Sequence, residues 1–131
     1  MRRFVTFALV VGIGLAGNQT YAAEHTKDSP ETVKKALAEK KAILVDVREQ
    51  AEWNEGHLQG ALLLPLSKLD ENDIKNLVKD LPKDKPIYAH CKAGGRCLRA
   101  AEILQKLGYD VRPLKQGYQE LLEAGLPKDG K

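Results

Sequence analysis

The sequence predicts an α/β domain whose mainly parallel central sheet carries helices on both faces. Three observations lead there. Residues 42–47 and 87–90 are short apolar runs without strict alternation, as expected of strands buried on both sides. The segments between them repeat apolar residues at helical spacing. The two kinds of segment alternate along the chain, which favours parallel pairing through crossover helices.

Taken in order, Ser29 is a good N-cap, Pro30 suits a first helical turn, and Val33, Ala36 and Leu37 recur on one face, so a first helix runs to about Lys40. The strand over 42–47 follows. Residues 49–54 form a short helix closed by Gly56, and 61–64 a strand stopped by Pro65. Residues 67–80 read as one helix with Ile74, Leu77, Val78 and Leu81 on its buried face. Pro86 introduces the strand over 87–90. The segment 95–107 carries Leu98, Ala101, Ile103, Leu104 and Leu107, with Gly108 as its stop. A last strand over 110–114 and a closing helix over 118–124, ended by Gly125, complete the pattern.

Composition narrows the function. With 43% hydrophobic and 30% charged residues in a chain of 131, one ordinary globular domain is expected. Lys and Arg (21) and Asp and Glu (18) are interleaved, and a formal charge of +3 gives no reason to expect nucleic acid as a partner. Cys91 and Cys97 alone cannot build a disulfide scaffold or a zinc site, so no metal is expected.

The start of the chain has the layout of a secretory signal peptide. Arg2 and Arg3 precede an apolar run over 4–16 interrupted by Thr6, and 18–23 is small and polar. The run is shorter than the roughly 20 apolar residues that span a bilayer, so no stable membrane insertion is expected after cleavage. Cleavage is placed after Ala22, with Thr20 as the other small residue in the peptidase groove. The expected organisation is a signal peptide over 1–22, a polar lead-in over 23–29, a domain over 30–128 and a tail over 129–131. The product would be periplasmic or secreted.

The chemistry is expected where the 87–90 strand ends, because ligands of open α/β sheets sit beyond the C-terminal strand ends. There Cys91, Lys92, Ala93, Gly94, Gly95 and Arg96 run directly into a helix. Gly94 and Gly95 let the backbone curl around the sulfur, so that successive N–H groups and the helix N-terminus face an anion. Such surroundings, with Lys92 and Arg96 nearby, lower a thiol pKa from about 8.5. The same cradle suits a persulfide or an oxyanion.

These residues, with four further patches, resemble the single-domain rhodanese family of sulfurtransferases. Asp46-Val47-Arg48-Glu49 followed by Glu52, and Gly56-His57-Leu58-Gln59-Gly60-Ala61, resemble its first signature. Cys91 to Arg96 resembles its six-residue active-site loop, and Leu107-Gly108-Tyr109 and Gly117-Tyr118 through Ala124-Gly125-Leu126-Pro127 its later motifs. Among exported proteins the chain is similar to periplasmic rhodaneses of the phage-shock type. The resemblance implies a rhodanese-like fold in which Cys91 takes sulfur from an anionic donor such as thiosulfate, holds it as a persulfide, and passes it to cyanide or a thiol. It implies no metal or organic cofactor. Lys92 through Arg96 would bind the donor, with Arg96 offering a planar fork to sulfonate oxygens. Phosphatase and arsenate-reductase relatives place five residues between Cys and Arg, whereas four lie between Cys91 and Arg96. A carrier of persulfide or sulfide, or a partner-binding module without turnover, is the alternative.

Other polar residues have supporting readings. Adjacent strand side chains point to opposite faces, so His90 is expected to be packed or hydrogen-bonded in the strand and not to act as the base. His57 is expected to fix its loop by hydrogen bonding, and Asp46 and Arg48 to brace the active-site loop or hold each other. Trp53 should pack the short second helix, and His25, in the lead-in, should face solvent. Gln116 and Leu121 depart from the Gly and Trp common in the family. Cys97 also departs: it is a small apolar side chain in the first helical turn or a redox partner able to form a reversible disulfide with Cys91.

Overall fold

The computed structural model describes residues 22–69 and 72–130. The elements run α1 (Pro30–Ala38), β1 (Ile43–Asp46), α2 (Gln50–Glu55), β2 (Leu62–Leu63), α3 (Leu66–Leu69), α4 (Ile74–Leu77), β3 (Ile87–His90), α5 (Gly95–Lys106), β4 (Val111–Pro113) and α6 (Tyr118–Glu123). The Ser29 hydroxyl accepts the Thr32 N–H and starts α1 as an N-cap should. Glu49 and Glu52 form the capping box that starts α2. The proposed leader lies almost wholly outside the described residues; within them, no helix is long and apolar enough to cross a membrane.

All strand pairs are parallel, in the order β2-β1-β3-β4. Side-chain alternation divides the core accordingly. Leu44 and Tyr88 point to one face, where they meet Val33 of α1 and Leu121 of α6. Val45, Ile87 and Ala89 point to the other, against Leu69 of α3 and Ala100, Ala101 and Leu104 of α5. Helices therefore cover both faces, as the apolar runs require. Asp46 is registered against His90, so β1 and β3 end together and bring Arg48 and Cys91 to the same edge.

The segment predicted as one helix over 67–80 is instead two short helices, α3 and α4. Asp73 precedes α4, and its carboxylate accepts from the Asn76 side chain at 3.3 Å, a local bond that competes with continuous helix. The break also changes which face is buried: Leu69 and Val78 are in the core, while Leu77 is 44% exposed.

The turn from β4 into α6 lies directly on the loop after β3. Tyr118 N–H donates to the Cys91 carbonyl at 2.9 Å, and a Cβ on Gly117 would overlap the Lys92 carbonyl. That obstruction is backbone, so no rotamer relieves it. Gly117→Ala is expected to destabilise the protein by about 1–3 kcal/mol through overpacking. Thermal denaturation should show a fall of several degrees, roughly 4–8 °C per kcal/mol for a domain of this size. An unchanged melting temperature would show that the two loops do not press together.

Candidate active site

Cys91 is the first residue beyond β3, and Gly94 precedes α5 in a left-handed conformation with φ +92°. That turn sends the Gly94 N–H back to the Cys91 sulfur at 3.0 Å. No side chain fits at Gly94, because a Cβ would stand 2.9 Å from the Lys115 carbonyl and 3.2 Å from His25 Nε2. Backbone N–H groups of Ala93, Gly94 and Cys97 all favour the ionised sulfur, with the Cys97 thiol the largest influence. Together they outweigh burial and bring Cys91 down from 9.0 to about 5. Cys91 is only 1% exposed, so a reacting partner has to enter the loop to meet it.

Cys97 is fully buried in the first turn of α5, with its sulfur 3.1 Å from the Gly94 carbonyl and 3.3 Å from the Leu114 carbonyl. The adjacent Cys91 and burial both push its ionisation upward, so it remains a thiol and donates. Both cysteines are free in this structure.

The two arginines beside the loop are paired with carboxylates. Arg96 NH1 and NH2 bond the two carboxylate oxygens of Glu52 at 2.6 and 2.9 Å. This fork holds the Glu52 carboxyl down at about 2 and raises Arg96. The predicted donor-binding guanidinium is thus directed at α2, keeping its charge beside the loop. Lys92, Ala93 and Gly95 are exposed. Beside them lies a cavity of about 440 Å³ whose lining includes Arg48, Glu52, Gly56, Lys92, Tyr118 and Lys128.

Asp46 and Arg48 hold each other and brace the loop as well. Arg48 Nε and NH2 bond the Asp46 carboxylate at 3.0 and 2.8 Å, NH2 also reaches the Gly56 carbonyl at 2.8 Å, and both side chains are buried. The guanidinium lies 4.1 Å from the centre of the Tyr118 ring, whose backbone N–H holds the Cys91 carbonyl. His90 is fully buried 3.7 Å from the Asp46 carboxylate, and desolvation pushes its pKa down. It is a neutral, packed strand residue.

His57 Nδ1 lies 3.1 Å from the Trp53 carbonyl and Nε2 lies 2.9 Å from the Asp129 carboxylate. Its ring stacks on Trp53 with centroids 3.5 Å apart, which ties α2 to the C-terminal turn. His25 does not face solvent as expected: it is half-buried, with Nε2 2.7 Å from the Gly94 carbonyl. The lead-in is folded over the loop, a contact across 69 positions that no local pattern announces. Glu52 and Tyr118, quoted above only within larger patches, are the other site residues to which the sequence assigned no role.

A parallel α/β sheet that presents an activated cysteine in a ring of amides defines a thiolate-based group-transfer or anion-binding domain. Residues 29–124 match the rhodanese-like domain, and the chain belongs to that family. It is similar to YqhL, an uncharacterised protein of Bacillus subtilis, at 40% identity over 62% of this chain and 61% of that one. The next curated relatives are longer still, and the match spans 37% and 26% of them. Among solved structures, a human single-domain sulfurtransferase is 30% identical with a TM-score of 0.61, covering 73% of this chain and 97% of its own. A rhodanese-related protein of Thermoplasma volcanium is 28% identical with a TM-score of 0.63, covering 76% and 92%.

Removing one member of the buried Asp46–Arg48 pair leaves an uncompensated charge beneath the site. Asp46→Ala is expected to cost about 3–5 kcal/mol in urea denaturation. A loss below about 1 kcal/mol, the range of exposed pairs, would show that the pair is solvated.

Proposed function

We propose that this chain is a sulfurtransferase that moves a sulfane sulfur from thiosulfate or a similar anionic donor to cyanide or a thiol through a persulfide on Cys91. The observation that carries this reading is the Cys91 sulfur itself, ionised above about pH 5 and facing the N–H groups of its own loop. The 30% identity to a human protein named as a sulfurtransferase supports the reaction class.

In the first half-reaction the Cys91 thiolate attacks the outer sulfur of thiosulfate. A bond forms between the two sulfurs, the donor's S–S bond breaks, and sulfite leaves with the electron pair. In the second, cyanide or a thiolate attacks the same outer sulfur and Cys91 leaves as thiolate. A low pKa serves both steps, giving a nucleophile at neutral pH and a good leaving group afterwards. The charge that arrives on the outer sulfur is met by the loop's amides, and Lys92 and Arg96 draw the anionic donor toward the mouth.

Cys97 supports a second use of the same persulfide. After its proton passes to the departing outer sulfur, the Cys97 sulfur bonds to the inner Cys91 sulfur, the persulfide S–S bond breaks and the outer sulfur leaves as hydrosulfide; two equivalents of an external thiol then reduce the Cys91–Cys97 disulfide to the two cysteines. The observation favouring it is their shared attachment to Gly94. For the leader, we propose cleavage after Ala22 and a periplasmic or secreted product, on the charge and apolar pattern of residues 1–22.

Purified protein treated with thiosulfate should gain one sulfur atom on Cys91 by intact mass, and cyanide should return the original mass and release thiocyanate. Cys91→Ser should do neither. A stable sulfur adduct without turnover would identify a carrier, and no adduct with thiosulfate or 3-mercaptopyruvate would exclude transfer from these donors. Recovery of a chain beginning at Ala23 from outside the cytoplasm is expected, whereas the intact chain in the cytosol would contradict export.

A further inference from the structure

Residues 22–28 precede the span that matches the family and contain no helix or strand, yet they are fastened along their length. Ala23 packs against the core that contains Cys91 and Cys97. Thr26 N–H donates to the Pro113 carbonyl at 2.8 Å, which ties the segment to β4. Asp28 accepts from the Tyr88 hydroxyl at 2.6 Å and from Arg112 at 3.2 Å, and the Tyr88 bond in particular holds its carboxyl below the usual range. Between these anchors, His25 Nε2 lies 2.7 Å from the Gly94 carbonyl. A carbonyl oxygen only accepts, so Nε2 carries the proton and donates.

Gly94 is the residue on which the cradle turns. With no side chain and a φ of +92°, it depends on its neighbours to hold its flanking peptides in place. Its N–H is the group 3.0 Å from the Cys91 sulfur, and its carbonyl takes a hydrogen bond from His25 of the lead-in, with the Cys97 sulfur 3.1 Å away. Drawing electron density toward the oxygen also strengthens the N–H of the same peptide unit, which belongs to Gly95 at the start of α5.

We propose that residues 23–28 form an active-site strap and that His25 is a positioning residue for Cys91, holding the Gly94 carbonyl so that the Gly94 N–H stays on the sulfur. The consequence for catalysis rests on the sulfurtransferase reading; the consequence for the cysteine does not. The other groups around Cys91 are His90 from β3, Lys92 in the loop, and Arg96 and Cys97 from α5, none of which belongs to the strap.

The test compares wild type, His25→Ala and His25→Gln in the full chain, reading the rate of Cys91 alkylation at mildly acid pH and the rate of sulfur loading from thiosulfate. His25→Ala should slow both by about two- to tenfold, the worth of one hydrogen bond. His25→Gln, whose amide N–H reaches the same carbonyl, should recover most of the loss. Thr26→Pro, which removes the N–H bonded to Pro113 and keeps the His25 side chain, should slow alkylation in the same direction and gives a second route if His25→Ala folds poorly. Wild-type alkylation rates in both His25→Ala and Thr26→Pro, even with a lowered melting temperature, would overturn the proposal and leave the segment as packing. If wild type takes up no sulfur, the sulfurtransferase reading fails while the alkylation comparison still decides the strap.

Discussion

A sulfur anion held beneath the surface of a protein has to be solvated by the protein itself. Cys91 is nearly inaccessible to water, and an apolar burial of that kind would keep it a thiol. It ionises because the chain replaces water with fixed donors: the N–H groups of Ala93, Gly94 and Cys97 and the Cys97 S–H. Such donors need no reorganisation when charge moves on or off the sulfur. Much of the surrounding structure can be traced to keeping those few groups aimed. The left-handed turn at Gly94 points one of them, α5 presents another pair, and Gly117 lets the β4–α6 turn press on the loop from above.

The nearby formal charges have a different part. Arg48 is committed to Asp46 and Arg96 to Glu52, so neither guanidinium caps the sulfur directly. They fix the walls of the loop and keep positive potential around its entrance. Neutral dipoles close to the sulfur and paired charges farther out stabilise the thiolate without locking it into an ion pair, and a locked thiolate would be a poor nucleophile. Linkage gives this a stability consequence. Because the folded-state pKa of Cys91 is depressed to about 5 from 9.0, its contribution to stability is present in full above the ordinary thiol range and is lost as pH falls through about 5.

What the sequence disclosed and what it hid follow from the range of the interactions. Strands β1 and β3, helix α5 and the turn at Gly94 are set by local apolar spacing and by glycine, and they were legible. The loop's identity as an anion cradle was legible for the same reason, since Cys91 through Arg96 are contiguous. The division of the 67–80 segment was not, because Asp73 and Asn76 fit a helix pattern as well as they fit a local side-chain bond that interrupts one. Arg96 was expected to face a substrate, and only the folded chain reveals Glu52 from α2 beside it, 44 positions away. His25 is the extreme case: nothing in a polar lead-in signals that it will reach Gly94.

The most direct test of this account is the ionisation of Cys91 followed against pH in the native protein, by thiolate absorbance or alkylation rate, beside Cys97→Ala and Cys97→Ser. The expected midpoint in wild type is near 5. Cys97→Ala should raise it by about one unit or more, equivalent to about 1.4 kcal/mol or more of lost stabilisation of the thiolate, and Cys97→Ser, which keeps a donor, by less. A wild-type midpoint near the ordinary 9.0, or the same low midpoint in all three proteins, would contradict this account.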